Sequence, residues 1–505
     1  AADALGPGAS HLVILDHAVR LVGDGATPAD TVIDGAGTRR TARVAAAGAG
    51  LENLTLLRGL VAGGATPTGF GLHLEAGTVS NCLLSAGNTA KTTSDGTEHF
   101  VYQTGGLLAD STVTGYKVLN QDYGPGSACY LTGTARMRGC VVSNNASIYR
   151  GAVQAYGPDV VVEDCRILAN SHAQKNHADY AAGVYLDGGA TLLRCDVGGN
   201  EAKTSSPINT QIHAAGIYCV SGTIDSCFIT NNVAGNNSHA GGVYLGGSSL
   251  LVNSLVAGNG FALTDFTKAM AGGVYLNHAE ARMASCTVAG NANDRPDYAH
   301  GVYLAAGKIV NSIISGNATG DRQLVTPLAS PDVTYSCLGE EMAGEGNIAD
   351  DPRFTAAANG DYTLLLASPA LDKARAEDSP ATDLLGTSRP QGSGFDMGCF
   401  ERPAAGHSVE LSLLSAAEGN LPYTLALEAI AAPDAAVSYA WTISDGAGHV
   451  QTATTATSAF SGALGALGTW TVSCRATFSD GATVEAATPV VVRILPHEIY
   501  VALDG

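Results

Sequence analysis

Along the first three-fifths of the chain, apolar residues come in short bursts that alternate with polar ones, and glycine or asparagine separates the bursts. Val184-Tyr185-Leu186 and Thr191-Leu192-Leu193-Arg194-Cys195 are typical. A period of two belongs to a strand, so Val184 and Leu186 are expected on one face and Tyr185 on the other. The bursts also recur in order. AGVYLDGGATLLRCDVGGN (182–200) is echoed by AGIYCVSGTIDSCFITNN (215–232), GGVYLGGSSLLVNSLVAGN (241–259), GGVYLNHAEARMASCTVAGN (272–291) and HGVYLAAGKIVNSIISGN (300–317), with weaker copies from residue 71 onward.

Aligned copies give three rows. The first is His73, Tyr102, Tyr130, Gln154, Tyr185, Tyr218, Tyr244, Tyr275 and Tyr303. The second is Cys82, Ser111, Cys140, Cys165, Cys195, Cys227, Ser254, Cys286 and Ser312. The third is Asn88, Asn145, Asn170, Asn200, Asn232, Asn259, Asn291 and Asn317, with one copy lacking it. The mean step is about 29 residues, a solenoid period. Several short strands and tight corners in each copy predict an all-β chain whose first part is a right-handed parallel β-helix. Each coil then pairs with its neighbours at ~4.8 Å. The asparagine row is expected at a corner, where asparagine tolerates αL geometry. The Cys/Ser row is expected as small buried filler.

Composition narrows the function classes. Only 14% of residues are charged and 45% are hydrophobic, which excludes a disordered chain. No apolar run reaches the ~18 residues of a membrane-spanning helix, so no direct membrane insertion is expected. A net charge of −20 disfavours nucleic acid as a partner. Eleven cysteines show no CxxC or Cys/His zinc spacing, so no metal site is assigned. The Asp24-Gly25 and Asp34-Gly35 corners read as turns, with structural calcium as the alternative, and no other cofactor is expected.

After Glu401-Arg402-Pro403 the texture changes. Residues 406–494 hold both tryptophans, in YAWTISDG (439–446) and GTWTVSCRATFSDG (468–481), with alternating strands and Asp-Gly turns. These predict a small β-sandwich, similar to PKD and immunoglobulin-like spacer or adhesive modules. The expected division is therefore 1–402 for the β-helix, 406–494 for the sandwich and 495–505 for a further strand.

The β-helix part resembles the pectin-lyase-like superfamily, and within it the choice-of-anchor Q bacterial surface proteins. The residues that carry the likeness are VGDG…TVIDG (22–35), SPALD (368–372) and TDLLGTSRP…FDMGCFE (382–401). The resemblance implies architecture and an extracellular, cell-surface location rather than one activity. In that family an IYV…DG segment opens the helix and an AAxxA-type cap follows. Here AADAL stands at residues 1–5 and HEIYVALDG at 497–505, so the parts are in rotated order. A tandem array, a truncation, and a subunit donating its last strand to the next copy all fit that order. Strand donation assigns Glu498, Ile499, Tyr500, Val501, Ala502 and Leu503 to head-to-tail assembly, since a bare β-helix end exposes unpaired backbone.

Candidate chemistry centres on the outward aromatic row. Tyr185, Tyr218, Tyr244, Tyr275 and Tyr303, with His213 and His239 five residues before two of them, suit a polysaccharide or glycan ligand. A ladder of rings that stabilises its own sheet accounts for the tyrosines equally, and packing under loops accounts for Tyr149, Tyr180, His213, His239 and Tyr298. The variable loops after the asparagine corner carry Lys175, Lys203 and Lys268. If the chain is an enzyme, Lys175, His177, Asp179 and Tyr180 could supply the base, neutraliser and acid of a uronate lyase. A glycosidase would instead pair Asp179 with Asp187, about 5 to 9.5 Å apart. No nucleophile elbow, phosphate loop or NTD motif occurs, and the single DD pair, Asp350-Asp351, lies beyond the regular repeats. The sequence therefore favours a structural or adhesive surface protein, with the carbohydrate-active enzyme or glycan-binding module as the alternative.

Overall fold

A computed structural model describes residues 11–59, 68–87, 90–91, 98–118, 126–147, 150–174, 181–204, 212–262, 269–293, 295, 297–318, 322–403, 408–432, 436–478, 483–486 and 489–495. The chain is nearly all β and forms two compact units. One comprises Ala1–Asp350, Ala374–Gly386 and Met397–Cys399; the other comprises Asp351–Lys373, Thr387–Asp396 and Phe400–Gly505.

The first unit is a parallel β-solenoid, as the repeat predicts. Its strands form a 22-stranded sheet that takes two strands from most coils and an 11-stranded sheet that takes one. The register is that of the sequence rows. Tyr185 lies beside Tyr218, then Tyr244, Tyr275 and Tyr303. On the next strand Leu192 is followed by Ile224, Leu251 and Met283. On the third, Val197 is followed by Ile229, Val256 and Val288. The Leu192 and Val197 columns are fully buried, as are Val184 and Leu186. Burial of each Val, Leu or Ile contributes roughly 1.5–3 kcal/mol, repeated coil after coil.

Two single-residue corners per coil turn the chain. Asp164, Arg194, Ser226, Asn253, Ser285 and Asn311 all hold φ between 49° and 55°. Five residues later Ala169, Gly199, Asn231, Gly258, Gly290 and Gly316 hold φ between 51° and 68°. Glycine enters the second corner for its conformational freedom and for space: a Cβ on Gly258 would lie 2.5 Å from the Asn231 side-chain oxygen. Directly after each corner sits a ladder residue.

The Cys/Ser row follows the first corner and is more than filler. The backbone N–H of Cys165 donates to the Cys195 sulfur, and that of Cys195 to the Cys227 sulfur, each at 3.4 Å. The N–H of Cys227 donates to the Ser254 oxygen at 3.0 Å. Each side chain also donates to the carbonyl two residues before it, Cys195 to Leu193 and Ser254 to Val252. This explains why cysteine and serine alternate there: both carry a donor-acceptor at the γ position. All eleven cysteines are buried and free.

The asparagine row follows the second corner and is a continuous buried hydrogen-bond column from Asn145 to Asn317. Asn88 lies outside the described residues. At one end the Tyr116 N–H donates to Asn145; at the other, Gln323 accepts both the N–H and the Nδ2 of Asn317.

Residues 374–386 run across the first corner of three late coils. Asn311 exchanges hydrogen bonds with the backbone of Arg375, the Ser285 hydroxyl donates to the Asp378 carbonyl, and Asn253 donates to the Thr382 carbonyl. Asp378 also takes ion pairs from Arg282 and Arg375.

The second unit carries a three-stranded antiparallel sheet and a six-stranded, largely antiparallel one. Both supply side chains to one core around Trp441 and Trp470, with Leu425 and Leu427 from the smaller sheet. The indole N–H groups bond Thr455 and the Ala466 carbonyl, so the large rings bury no unmet donor.

Candidate functional site: an enclosed aromatic column and an open first coil

In-register parallel pairing forces the outward residues of the repeated V-Y-L strand into a file, and the rings touch throughout. Centroid separations are 5.2 Å for His73–Tyr102, 5.5 Å for Tyr102–Tyr130, 5.2 Å for Tyr130–Tyr156 and 5.3 Å for Tyr156–Tyr185. They continue at 5.4 Å for Tyr185–Tyr218, 4.8 Å for Tyr218–Tyr244, 5.1 Å for Tyr244–Tyr275 and 5.6 Å for Tyr275–Tyr303. The row broken by Gln154 is mended by Tyr156, two residues on, whose ring takes the vacant step. That substitution follows from the same period of two, and the alignment of copies alone misses it.

The column is outside the solenoid core yet mostly enclosed. Tyr185, Tyr244 and Tyr275 are no more than 6% exposed. Three short strands, Ile212–Ala214, Ser238–Ala240 and Ala269–Ala271, lay Ala214, Ala240 and Ala271 against the rings. His213 stacks on Tyr218 at 4.4 Å and His239 on Tyr275 at 5.2 Å. The open aromatic face expected from the sequence is therefore roofed over at these coils, because the residues just before each strand fold back across it. Tyr298 lies 6.4 Å from Tyr303 at the end of the file. Burial pushes the Tyr275 phenol up to about 12 and raises Tyr185 and Tyr244 as well.

Asp187 is tied into the column. It accepts from the Tyr185 hydroxyl at 3.2 Å, from the Ser221 hydroxyl at 2.9 Å and from the Gly188 N–H at 2.7 Å. The Arg150 guanidinium lies 5.0 Å from the Tyr185 ring centroid and bonds the Tyr156 hydroxyl. Arg150 was not singled out by the sequence, where it is one more polar residue ahead of a strand. Lys175, His177, Asp179, Tyr180, Tyr149 and Lys268 lie outside the described residues, and Lys203 falls in the strand Glu201–Thr204. Asp34 pairs with Arg58 and accepts the Ala36 N–H. Among the described residues no cluster of His, Cys, Asp and Glu has the geometry to hold a metal ion, and no helix is long and apolar enough to cross a membrane.

The first coil is a second unusual surface. His11–Leu15, Arg20–Val22 and Val32–Asp34 each pair with one strand only among the described residues. Leu12, Val19, Leu21, Val22 and Val32 are exposed there, Val19 by 55% and Val22 by 53%. Strand edges with no second partner among the described residues, together with exposed apolar side chains, form a template for another strand. Glu498, Ile499, Tyr500, Val501, Ala502 and Leu503, the expected assembly strand, lie outside the described residues.

Comparison with protein-family models, curated proteins and solved structures finds no match to this chain.

Proposed function

We propose that the chain is an extracellular structural or adhesive protein of the choice-of-anchor Q type. Its solenoid units join head to tail, with PKD-like modules between them. In this reading Glu498–Leu503 of one copy adds as a parallel strand to His11–Leu15 of the next. The observation that carries it is the first coil, whose three strands each have one partner among the described residues and which exposes five apolar residues. Ile499-Tyr500-Val501 has the alternation of the repeated V-Y-L strand, so it can send Ile499 and Val501 inward and set Tyr500 beside Ile14, in the outward row that continues through Arg43 to His73. A surface location rests on the family resemblance of residues 22–35 and 368–401.

Sedimentation velocity tests the assembly. Deleting residues 497–505 is expected to leave only monomer where the parent chain forms higher species. A truncated chain that assembles like the parent overturns strand donation.

A further inference from the structure

We propose that the aromatic file is a path for one-electron oxidation along the solenoid, and that the migrating hole settles on Tyr185. This goes beyond the assembly reading and does not depend on it.

Eight tyrosines, from Tyr102 to Tyr303, form seven consecutive ring contacts with no centroid gap above 5.6 Å. At ~4.8 Å per coil they span roughly 34 Å. A structural ladder needs apolar stacking alone, and phenylalanine would supply it without a hydroxyl to satisfy under a roof of side chains. Tyrosine is instead the ring at every step, including the one where Tyr156 replaces the row position lost to Gln154. The rings are close enough for an electron to pass from each to the next.

A phenol that loses an electron also loses its proton, so the hole rests where a base waits. Tyr185 donates to the Asp187 carboxylate at 3.2 Å. Tyr275 donates to the Asn277 amide oxygen at 3.0 Å, a far weaker base, while Tyr244 accepts from the Asn277 amide N–H at 2.6 Å, which is a donor and takes no proton. The balanced step is transfer of one electron from the file to an outer-sphere one-electron oxidant, with the Tyr185 phenolic proton passing to Asp187. A neutral tyrosyl radical remains. The Asp187 carboxylate is held for this by the Ser221 hydroxyl and the Gly188 N–H.

The test attaches a photo-oxidant at one end and a trap at the other. All native cysteines are buried, so Lys308→Cys, whose side chain is exposed, takes a thiol-reactive ruthenium polypyridyl label selectively. The trap is 3-aminotyrosine at position 102, read by its radical spectrum after a flash in the presence of a sacrificial electron acceptor. A trap radical is expected in the parent background, and Tyr185→Phe, which keeps the ring packing, is expected to abolish it. Without the trap, a tyrosyl signal is expected at Tyr185, identified by its loss in Tyr185→Phe and its displacement in Asp187→Asn. A trap radical that survives Tyr185→Phe, or never forms in the parent, overturns the proposal. Circular dichroism on each variant establishes that the solenoid is intact.

Discussion

Asn200 is bound twice to Asn232: its backbone N–H and its Nδ2 both donate to the Asn232 side-chain oxygen, at 3.0 and 2.9 Å. The Asn232 Nδ2 in turn donates to the Val197 carbonyl and to the Asn259 oxygen, each at 2.9 Å. Every polar atom of the rung is used in a place that water does not reach. Asn232→Ala strands two donors and one acceptor, and is expected to cost about 2–4 kcal/mol in urea unfolding. Asn232→Asp is expected to be no better, because its second oxygen faces the Val197 carbonyl and the Asn259 oxygen. A loss below about 1 kcal/mol for the alanine variant would contradict the ladder.

The Cys/Ser row makes a prediction opposite to that of an apolar core. Cys195 accepts the Cys165 N–H and donates to the Leu193 carbonyl, as serine does at position 254. Cys195→Ser should therefore be better tolerated than Cys195→Ala, by about 1 kcal/mol in chemical denaturation. The reverse order would return the row to simple filler.

Ala169 holds φ 51° at a corner where neighbouring coils place Gly199, Gly258 and Gly290. A Cβ in that region costs about 1–2 kcal/mol, part of which glycine gives back through its freer unfolded chain. Ala169→Gly should raise stability by about 0.5–1 kcal/mol, visible as a higher denaturation midpoint.

His99 is 2% exposed, with its Nδ1 bonded to the Ser127 hydroxyl at 2.8 Å and its ring on Tyr130 at 4.4 Å. Burial holds its pKa down at about 3. The neutral ring is the folded form. The stabilisation is therefore complete above the unfolded value of 6.5 and is lost progressively as pH falls from there toward 3. By pH 5 the loss is about 2 kcal/mol. Unfolding free energies at pH 7.5 and pH 5 should show His99→Gln less acid-sensitive than the parent by that amount.

The fold was legible because the solenoid repeats its chemistry. A period of two inside each burst and a period of about 29 between bursts fix both the inward face and the register. That is why Tyr218 stands over Tyr185 as the aligned copies require. What the sequence hid lies in contacts without a period. Nothing local in Asn311 announces a partner at Arg375, and nothing in Gln323 announces that it ends the asparagine column. The roof over the tyrosines was half visible: His213 and His239 were in the pattern, while Ala214, Ala240 and Ala271 are too small to stand out as a layer. The first coil's exposed apolar residues could not be told from core residues by pattern, because the same alternation serves a strand with one neighbour or two.

Strand donation requires that the first coil take a strand from another copy. Chains carrying Ile14→Cys are mixed with mass-tagged chains carrying Tyr500→Cys, so that a bond between the two positions is necessarily between molecules. Strand donation in parallel register brings these outward positions side by side and predicts a mixed disulfide dimer on oxidation, resolved by mass. Recovery of unlinked chains, or of like-with-like dimers alone, would contradict it.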